Sequence, residues 1–142
     1  MNVDSYFTKL NGKYVDYDGK WGFQCVDSMR HYIKERFGID AYKIIPPVNY
    51  AKNAFYNYPS ETEYFKKILN SPTNVPTKGD IIFFKTSLWY PWLYGIAGHV
   101  EIVSQADVYN MVNFAQNWPT NSPCHFQKRK YKDTIGWLTP LK

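Results

Sequence analysis

The chemistry that this sequence could perform centres on Cys25, one of its two cysteines. The spacing of apolar residues predicts a helix that starts near Phe23, which places Cys25 in the first turn. The partial positive charge at a helix N-terminus stabilises a thiolate, and the first N–H groups of a helix have no intrahelical acceptor. One turn of helix can therefore supply a nucleophile together with hydrogen-bond donors for an oxyanion. A buried structural cysteine is the other interpretation, and only a partner base separates the two.

Three histidines are candidates for that base, and His99 is the best placed of them. His31 lies six residues after Cys25 on the same predicted helix, so the two side chains point in different directions. His125 belongs to a late, basic segment. His99 begins a predicted strand, and a cysteine paired with a histidine is an activated nucleophile.

The strand that follows Gly98 is expected to give His99 a polar neighbour. Val100 and Ile102 are predicted to face the core, so His99 and Glu101 share the opposite face. Gly98 has no Cβ, which lets another segment of the chain approach closely at this point.

The next predicted strand offers a third group that could orient the imidazole. If the hairpin turns near residues 106–107, His99 lies opposite Ala115 and Asn117 is its diagonal neighbour. A Cys-His-Asn set is a known arrangement for acyl transfer. The sequence therefore favours Asn117 as the orienting residue.

The loop before the helix has the ligand spacing of a calcium-binding loop. Positions 1, 3, 5, 7, 9 and 12 of such a loop are occupied here by Asp16, Asp18, Lys20, Gly22, Gln24 and Asp27. Position 6, normally Gly, is Trp21, and Lys20 can offer only its backbone carbonyl. By the motif alone, a capped turn of solvated aspartates is the other interpretation.

The elements that must position these residues are predicted as helices first and strands second. Helices are expected at residues 1–12, 23–38, 48–58 and 61–69, and strands at residues 81–85, 99–104, 110–118, 124–131 and 134–138. This order predicts an α+β fold with an antiparallel sheet. An aromatic loop at residues 89–94 precedes the second strand and is expected to wall a substrate groove.

Length, charge and hydropathy exclude several classes of protein. The 142 residues are expected to form one domain, and no stretch approaches the ~20 apolar residues of a membrane span. The net charge of +5 favours a polyanionic partner, but no motif for DNA or RNA is present. The N-terminus lacks the charged and apolar regions of a signal peptide, so synthesis in the cytoplasm without a secretion signal is expected.

Four motifs, in this order, resemble the CHAP family of cysteine, histidine-dependent amidohydrolases/peptidases. They are DYDGKWGFQCVD at residues 16–27, VPTKGDI at 75–81, GHV at 98–100 and QNW at 116–118, with IGWLTP at 135–140 similar to the closing strand of the family. The resemblance covers nearly the whole chain and is closest to the CHAP modules of phage endolysins. It implies a papain-like (NlpC/P60-type) fold in which N-terminal helices pack on a C-terminal antiparallel sheet.

The resemblance also implies roles for individual residues. It makes Cys25 the nucleophile and His99 the base, and it gives Gln24 a part in shaping the oxyanion hole. Many relatives carry Glu immediately before the QNW motif, where this chain has Ala115. We therefore expect Asn117 to be the third catalytic residue, with Glu101 as the second candidate.

Some phage CHAP modules with the same Asp-x-Asp and Cys-x-Asp spacing bind Ca²⁺ in the loop before the helix. The resemblance thus predicts a structural Ca²⁺ ion in this chain. The expected ligands are Asp16, Asp18, Lys20, Gly22 and Asp27.

The function implied by the resemblance is hydrolysis of bacterial peptidoglycan. An endopeptidase is favoured over an N-acetylmuramoyl-L-alanine amidase, and a non-catalytic, calcium-dependent wall-binding module is the alternative from another class. Expected partners are peptidoglycan and anionic wall polymers, with no nucleic acid, no membrane insertion and a monomeric state. The protein would act on the wall after release by a holin or as part of a virion, and the sequence leaves open whether it is one module of a longer lysin.

Overall fold

The computed structural model describes residues 1–20, 22–85, 97–119 and 121–142. Its helices are α1 (Val3–Leu10), α2 (Cys25–Phe37) and α3 (Ala51–Tyr56), with a 3-10 turn at Ala41–Lys43. Its strands are β1 (Phe65–Leu69), β2 (Ile81–Phe84), β3 (His99–Ala106), β4 (Met111–Ala115), β5 (His125–Arg129) and β6 (Thr134–Pro140). The strands form one antiparallel sheet in the order β1-β6-β2-β3-β4-β5, which confirms the predicted α+β fold.

Both faces of the central strands are buried, and the two faces have different partners. Ile81 and Phe83 on β2 belong to the large core that the sheet shares with the helices. Ile82 and Phe84 alternate with them and pack with Trp137 of β6 on the other face. A polar side chain on that second face of β3 is therefore enclosed by apolar neighbours.

Helix α2 carries the candidate nucleophile, and a capping residue terminates the helix at each end. Its N-terminus is closed by Asp27, whose Oδ2 accepts a hydrogen bond from the Gln24 N–H at 2.9 Å. Its C-terminus is closed by Gly38, which has a φ of 73° and donates its N–H to the Lys34 carbonyl. Between these ends, Ile33 is fully buried against the sheet.

Residues 61–69 do not form the predicted helix, because the second half of that segment is edge strand β1. Phe65 is completely buried, and the strand pairs with β6 from Phe65 opposite Pro140 to Leu69 opposite Gly136. Pairing with a distant strand outweighs a weak local preference for helix. The aromatic loop at residues 89–94 lies outside the described residues.

The described helices are all too short or too polar to cross a lipid bilayer.

Candidate active site

Cys25 and His99 are brought together by the first residues of α2 and β3. The Cys25 thiol lies close enough to the His99 imidazole to raise the pKa of the imidazole. Cys25 is partly buried, whereas His99 is only 3% exposed. A cavity of about 340 Å³ opens on the thiol, and Gln24, Gly98 and Asn117 are among the residues that line it.

The backbone at Gly98 explains how β3 brings His99 to this position. Gly98 has a φ of 73°, and a Cβ there would lie 2.5 Å from the Phe84 carbonyl oxygen and 2.8 Å from the Cβ of Lys52. Only glycine fits between the end of β2 and helix α3 without displacing either segment. The expected close approach at Gly98 is thus confirmed.

The imidazole of His99 is oriented by Glu101, two residues further along the same strand. Nε2 of His99 lies 3.0 Å from Oε2 of Glu101, which leaves Nδ1 as the ring nitrogen for the Cys25 thiol. The two side chains share one face of β3, as their period-two spacing predicted.

Asn117 does not make the contact predicted for it. Strand β4 pairs Phe114 with Ile102, so the predicted register, with Ala115 opposite His99, is wrong by two residues. The hairpin loop spans residues 107–110, and the pairing shifts between Val103 and Gln105, which the assumed turn did not include.

Beyond the end of β4, Asn117 adopts a left-handed backbone conformation with a φ of 63°. Its side-chain oxygen accepts a hydrogen bond from the Asn121 N–H at 2.7 Å. Asn117 therefore lines the cavity beside Cys25, and among the described contacts it is Glu101 that holds the His99 ring.

Glu101 is itself held by three side chains from β4 and β5. The Arg129 guanidinium lies 2.6 Å from Oε2 through NH2 and 3.1 Å from both oxygens through Nε. Asn113 donates to Oε1 at 3.0 Å, and Gln127 donates to Oε2. The Glu101 side chain has no exposed surface, so these donors replace its hydration.

The charges of this cluster stabilise one another. Burial raises the pKa of Glu101, but the hydrogen bond and charge of His99 and the charge of Arg129 outweigh it and lower the pKa to about 2. Burial lowers the pKa of His99, but interactions with Cys25 and Glu101 outweigh it and raise the pKa to about 9. At neutral pH the site therefore favours a His99 imidazolium beside a Glu101 carboxylate.

Aromatic rings close the site from the side. The Trp118 ring lies 5.2 Å from the His99 ring, centroid to centroid, and the Phe84 ring lies 6.3 Å away in a stacked arrangement. Trp118 is 8% exposed, so it shields the imidazole from water. Trp118 is the last residue of the QNW motif, but the motif does not show that its ring packs against His99.

Gln116 was not identified from the sequence as a functional residue, yet it fixes the chain next to the nucleophile. Its side chain accepts a hydrogen bond from the Val15 N–H at 2.6 Å and donates to the carbonyls of Val15 at 2.7 Å and Gln24 at 2.8 Å. It is fully buried. The only sequence signal was its place in the QNW motif, because these hydrogen bonds join segments that are distant in the sequence.

Arg129 and Gln127 were also missed, because the sequence alone does not show that their side chains reach Glu101. Their spacing of two does place both side chains on one face of β5. That face turns towards Glu101. Gln24 lines the cavity beside Cys25, and its predicted part in an oxyanion hole stays a prediction.

The three aspartates of the predicted calcium loop converge. One carboxylate oxygen from each of Asp16, Asp18 and Asp27 lies within 4.8 Å of the others. Burial, with further contributions from the charges of Asp18 and Asp16, raises the pKa of Asp27 to about 6. Across the described parts of the chain, no Lys or Arg forms an ion pair with any of the three.

Backbone N–H groups donate hydrogen bonds to some oxygens of these three carboxylates. Asp16 accepts from the Gly19 N–H at 2.9 Å, and Asp18 accepts from the Lys20 N–H at 2.8 Å. Asp27 accepts from the Tyr17 N–H at 3.2 Å as well as from the start of α2. Three converging carboxylates, one of them buried, fit a hard divalent cation. Ligation by the carbonyls of Lys20 and Gly22 stays a prediction.

The second cysteine has a different environment. Cys124 is fully buried, and burial raises the pKa of its thiol to about 11. Neither Cys25 nor Cys124 is in a disulfide. The accessible thiol beside a histidine is therefore that of Cys25.

Comparisons with known proteins were made by sequence and by structure. The sequence profile of the CHAP domain matches residues 13–117. The probable autolysin PH of Staphylococcus aureus (strain NCTC 8325 / PS 47) is 32% identical over 121 residues, which make up 82% of this chain and 22% of that protein.

Solved structures with a similar fold include two further proteins. The wild-type endolysin LysIME-EF1 matches with a TM-score of 0.74 and 26% identity, over 97% of this chain and 62% of that one. Ly7917 matches with a TM-score of 0.65 and 15% identity, over 99% of this chain and 62% of that one. The chain thus spans less than two thirds of the length of each of these three proteins.

Proposed function

The chain belongs to the CHAP domain family, and from that membership we propose that it is a peptidoglycan hydrolase with Cys25 as nucleophile and His99 as base. The observation that carries the proposal is the juxtaposition of Cys25, at the start of α2, with His99, at the start of β3. The names of two relatives, an autolysin and an endolysin, support bacterial cell wall as the substrate.

The proposed reaction is transfer of an acyl group to sulfur and then to water. The Cys25 thiolate attacks the carbonyl carbon of an amide, and N–H groups of the first turn of α2 stabilise the resulting oxyanion. As the C–N bond breaks, the His99 imidazolium gives its proton to the leaving amine. His99 then takes a proton from the water that attacks the thioester, which releases the acid and restores the thiolate beside the imidazolium.

We further propose that the bond cleaved is a peptide bond of the stem or cross-bridge. Digestion of purified cell wall followed by mass spectrometry of the fragments tests this directly. New amino termini within the peptides are expected, whereas intact peptides freed from muramic acid would show an amidase instead. Wild-type protein that releases no fragments would refute hydrolysis altogether.

A wall-binding module without catalysis is the second candidate, and the Ala115 departure from the family pattern is the observation that favours it. Cys25→Ala separates the two functions, because it removes the nucleophile and leaves the fold unchanged. Loss of fragment release with retained binding to walls supports the hydrolase. Clearing of cells by Cys25→Ala at the wild-type rate would support the binding module.

Calcium is proposed as a structural ion held by Asp16, Asp18 and Asp27, with the carbonyls of Lys20 and Gly22 as further ligands. The convergence of the three carboxylates supports it. A bound Ca²⁺ ion would neutralise the repulsion among these carboxylates. Asp27 also caps α2. An ordered loop would therefore stabilise the first turn of the helix, which carries Cys25.

The calcium proposal is tested by the melting temperature in EDTA and after addition of Ca²⁺ or Mg²⁺. A ligand bound only by the folded state at a hundredfold excess over Kd stabilises it by about 2.7 kcal/mol. EDTA should therefore lower the melting temperature and Ca²⁺ should restore it, with Mg²⁺ less effective because it requires a regular octahedral cage. Asp18→Ala should abolish this response, whereas the exposed control Asp4→Ala should keep it. A wild-type melting temperature that ignores EDTA would refute the ion.

Anionic wall polymers are proposed as an additional partner. Lys128, Lys130 and Lys132 line a cavity of about 280 Å³ next to His99. Binding to walls should weaken with added salt, and it should weaken further once anionic polymers have been extracted from the wall. Binding that is equal for extracted and intact walls would exclude this partner.

A further inference from the structure

We propose that Arg129 is a positioning residue that acts on the His99 imidazole through Glu101, so that β3 and β5 together supply the acid of the site. The inference rests on the proposed roles of Cys25 and His99. It assigns to the edge strand β5 a function that neither the motifs nor the comparisons give it.

The position of Glu101 creates the need for such a residue. Glu101 lies on the same strand as His99, and its long side chain must turn along β3 to reach Nε2 at 3.0 Å. The side chain has no exposed surface, so water cannot hold it in that conformation or keep it charged. A buried carboxylate without hydrogen-bond donors or a cation beside it favours its neutral form. A neutral carboxyl group is a weaker acceptor for an imidazolium.

Arg129 meets that need by binding both carboxylate oxygens. Its Nε lies 3.1 Å from Oε1 and Oε2 of Glu101, and its NH2 lies 2.6 Å from Oε2. A planar guanidinium fixes the plane of a carboxylate in a way that a single donor cannot. The orientation of the Glu101 carboxylate, and through it the direction of the His99 ring, is therefore set from β5.

The guanidinium is in turn held in place by aromatic rings of the site. Its central carbon lies 4.6 Å from the Trp118 ring centroid and 5.1 Å from the Phe84 ring centroid. The same two rings pack on His99. Arg129, Glu101 and His99 are thus parts of one enclosed stack, and Arg129 is not a surface ion pair.

Strand β4, which pairs with β3, carries no carboxylate that could replace Glu101. If the pairing of Ile102 with Phe114 continues by one residue, Ala115 lies opposite Glu101. Ala115 is 1% exposed and presents only a methyl group, which accepts no hydrogen bond.

A double-mutant cycle between Arg129 and Glu101 tests the proposal. The rate of Cys25 alkylation by iodoacetamide at neutral pH is the first measurement, because it reports the Cys25–His99 pair without requiring a substrate. Arg129→Met should lower this rate in the wild-type background and have little effect in the Glu101→Gln background. Equal effects in both backgrounds would overturn the proposal.

Wall hydrolysis and NMR provide readouts that a merely structural role would not move. We expect Arg129→Met to lower kcat by about tenfold to a hundredfold with little change in KM, because a ring displaced by a fraction of an ångström is misaligned for proton transfer. The ring N–H of His99 should exchange faster with water in Arg129→Met, and Arg129→Lys should restore part of both properties. Unfolding in urea confirms that each variant is folded.

The control is Lys66→Met, which removes an exposed cation from edge strand β1 on the far side of the sheet and should behave as wild type. A wild type that is readily alkylated but does not hydrolyse walls would refute the proposed function, and the cycle would still decide the role of Arg129. An Arg129→Met protein with wild-type alkylation, exchange and kcat would refute the role of Arg129 alone.

Discussion

Replacement of Gln116 by Leu is predicted to destabilise the protein and to reduce the reactivity of Cys25. The buried amide makes three hydrogen bonds to main-chain groups, two with Val15 and one with the Gln24 carbonyl. Leu has a similar volume, so the substitution removes the hydrogen bonds without leaving a large cavity.

The expected loss follows from these three contacts. Without the Gln116 amide, the buried N–H and carbonyl of Val15 lose their partner at a cost of about 1–3 kcal/mol each, whereas the Gln24 carbonyl still accepts from the Asp27 N–H. Part of this cost is relieved by local rearrangement, so we expect the free energy of unfolding to fall by about 2–4 kcal/mol. This is a large part of the roughly 5–15 kcal/mol that stabilises a typical domain, so unfolding is best measured in urea at low temperature.

Two assays on the same samples separate a loss of stability from a loss of positioning. Urea unfolding gives the change in free energy, and iodoacetamide labelling in the absence of urea gives the reactivity of Cys25 in the folded state. Gln105→Leu is the matched control, because Gln105 is exposed on β3 and its substitution should change stability by less than about 0.5 kcal/mol. A Gln116→Leu protein that loses under about 1 kcal/mol and keeps the wild-type labelling rate would refute the tether.

Three further predictions concern the reactive groups. Iodoacetamide should label Cys25 before Cys124, because burial raises the pKa of the Cys124 thiol to about 11, and peptide mapping would show the order. Glu101→Gln should lower kcat on purified wall by about a hundredfold and Asn117→Ala by less, since Glu101 is the acceptor for the imidazole; a larger loss for Asn117→Ala would restore the sequence-based expectation. The interactions that outweigh burial raise the pKa of His99 to about 9, so the imidazolium, and the stability that it gains in the folded state, should be fully present below about pH 6.5 and lost as the pH rises through 9. A lytic rate that falls to half of its maximum as the pH rises to about 6.5 would contradict this.

The sequence was sufficient to predict the residues whose role depends on local geometry. Helical spacing predicted a helix that starts near Phe23 and ends at Gly38, and the observed helix starts two residues later, at Cys25. The prediction is this close because both ends are formed within one stretch of chain. The shared face of His99 and Glu101 follows from the period of a strand, which is the same in every sheet. The convergence of Asp16, Asp18 and Asp27 follows in the same way from a single short loop.

The sequence failed where the answer depends on how distant segments pair. The register of β4 against β3 depends on a four-residue loop and on a shift in pairing after Val103, and neither has a strong signal in the residue types. Continued beyond Ala115, the observed pairing would place residue 117 opposite His99, but β4 ends at Ala115 and Asn117 leaves the strand in a left-handed backbone conformation. Residues 61–69 read as helix for a related reason, because only the pairing with β6 makes their second half a strand.

The sequence by itself determined that Cys25 lies at the start of a helix and that His99 and Glu101 share one face of β3, because helix and strand periodicities are properties of the local backbone. Only the tertiary structure decided that Glu101 contacts the imidazole, that Arg129 reaches it from β5 and that Gln116 ties Val15 to the start of α2. The contacts of Arg129 and Gln116 join residues far apart in the chain, 28 positions for Arg129 and up to 101 for Gln116. Their geometry is set by the summed packing of the whole sheet, which no short stretch of sequence contains.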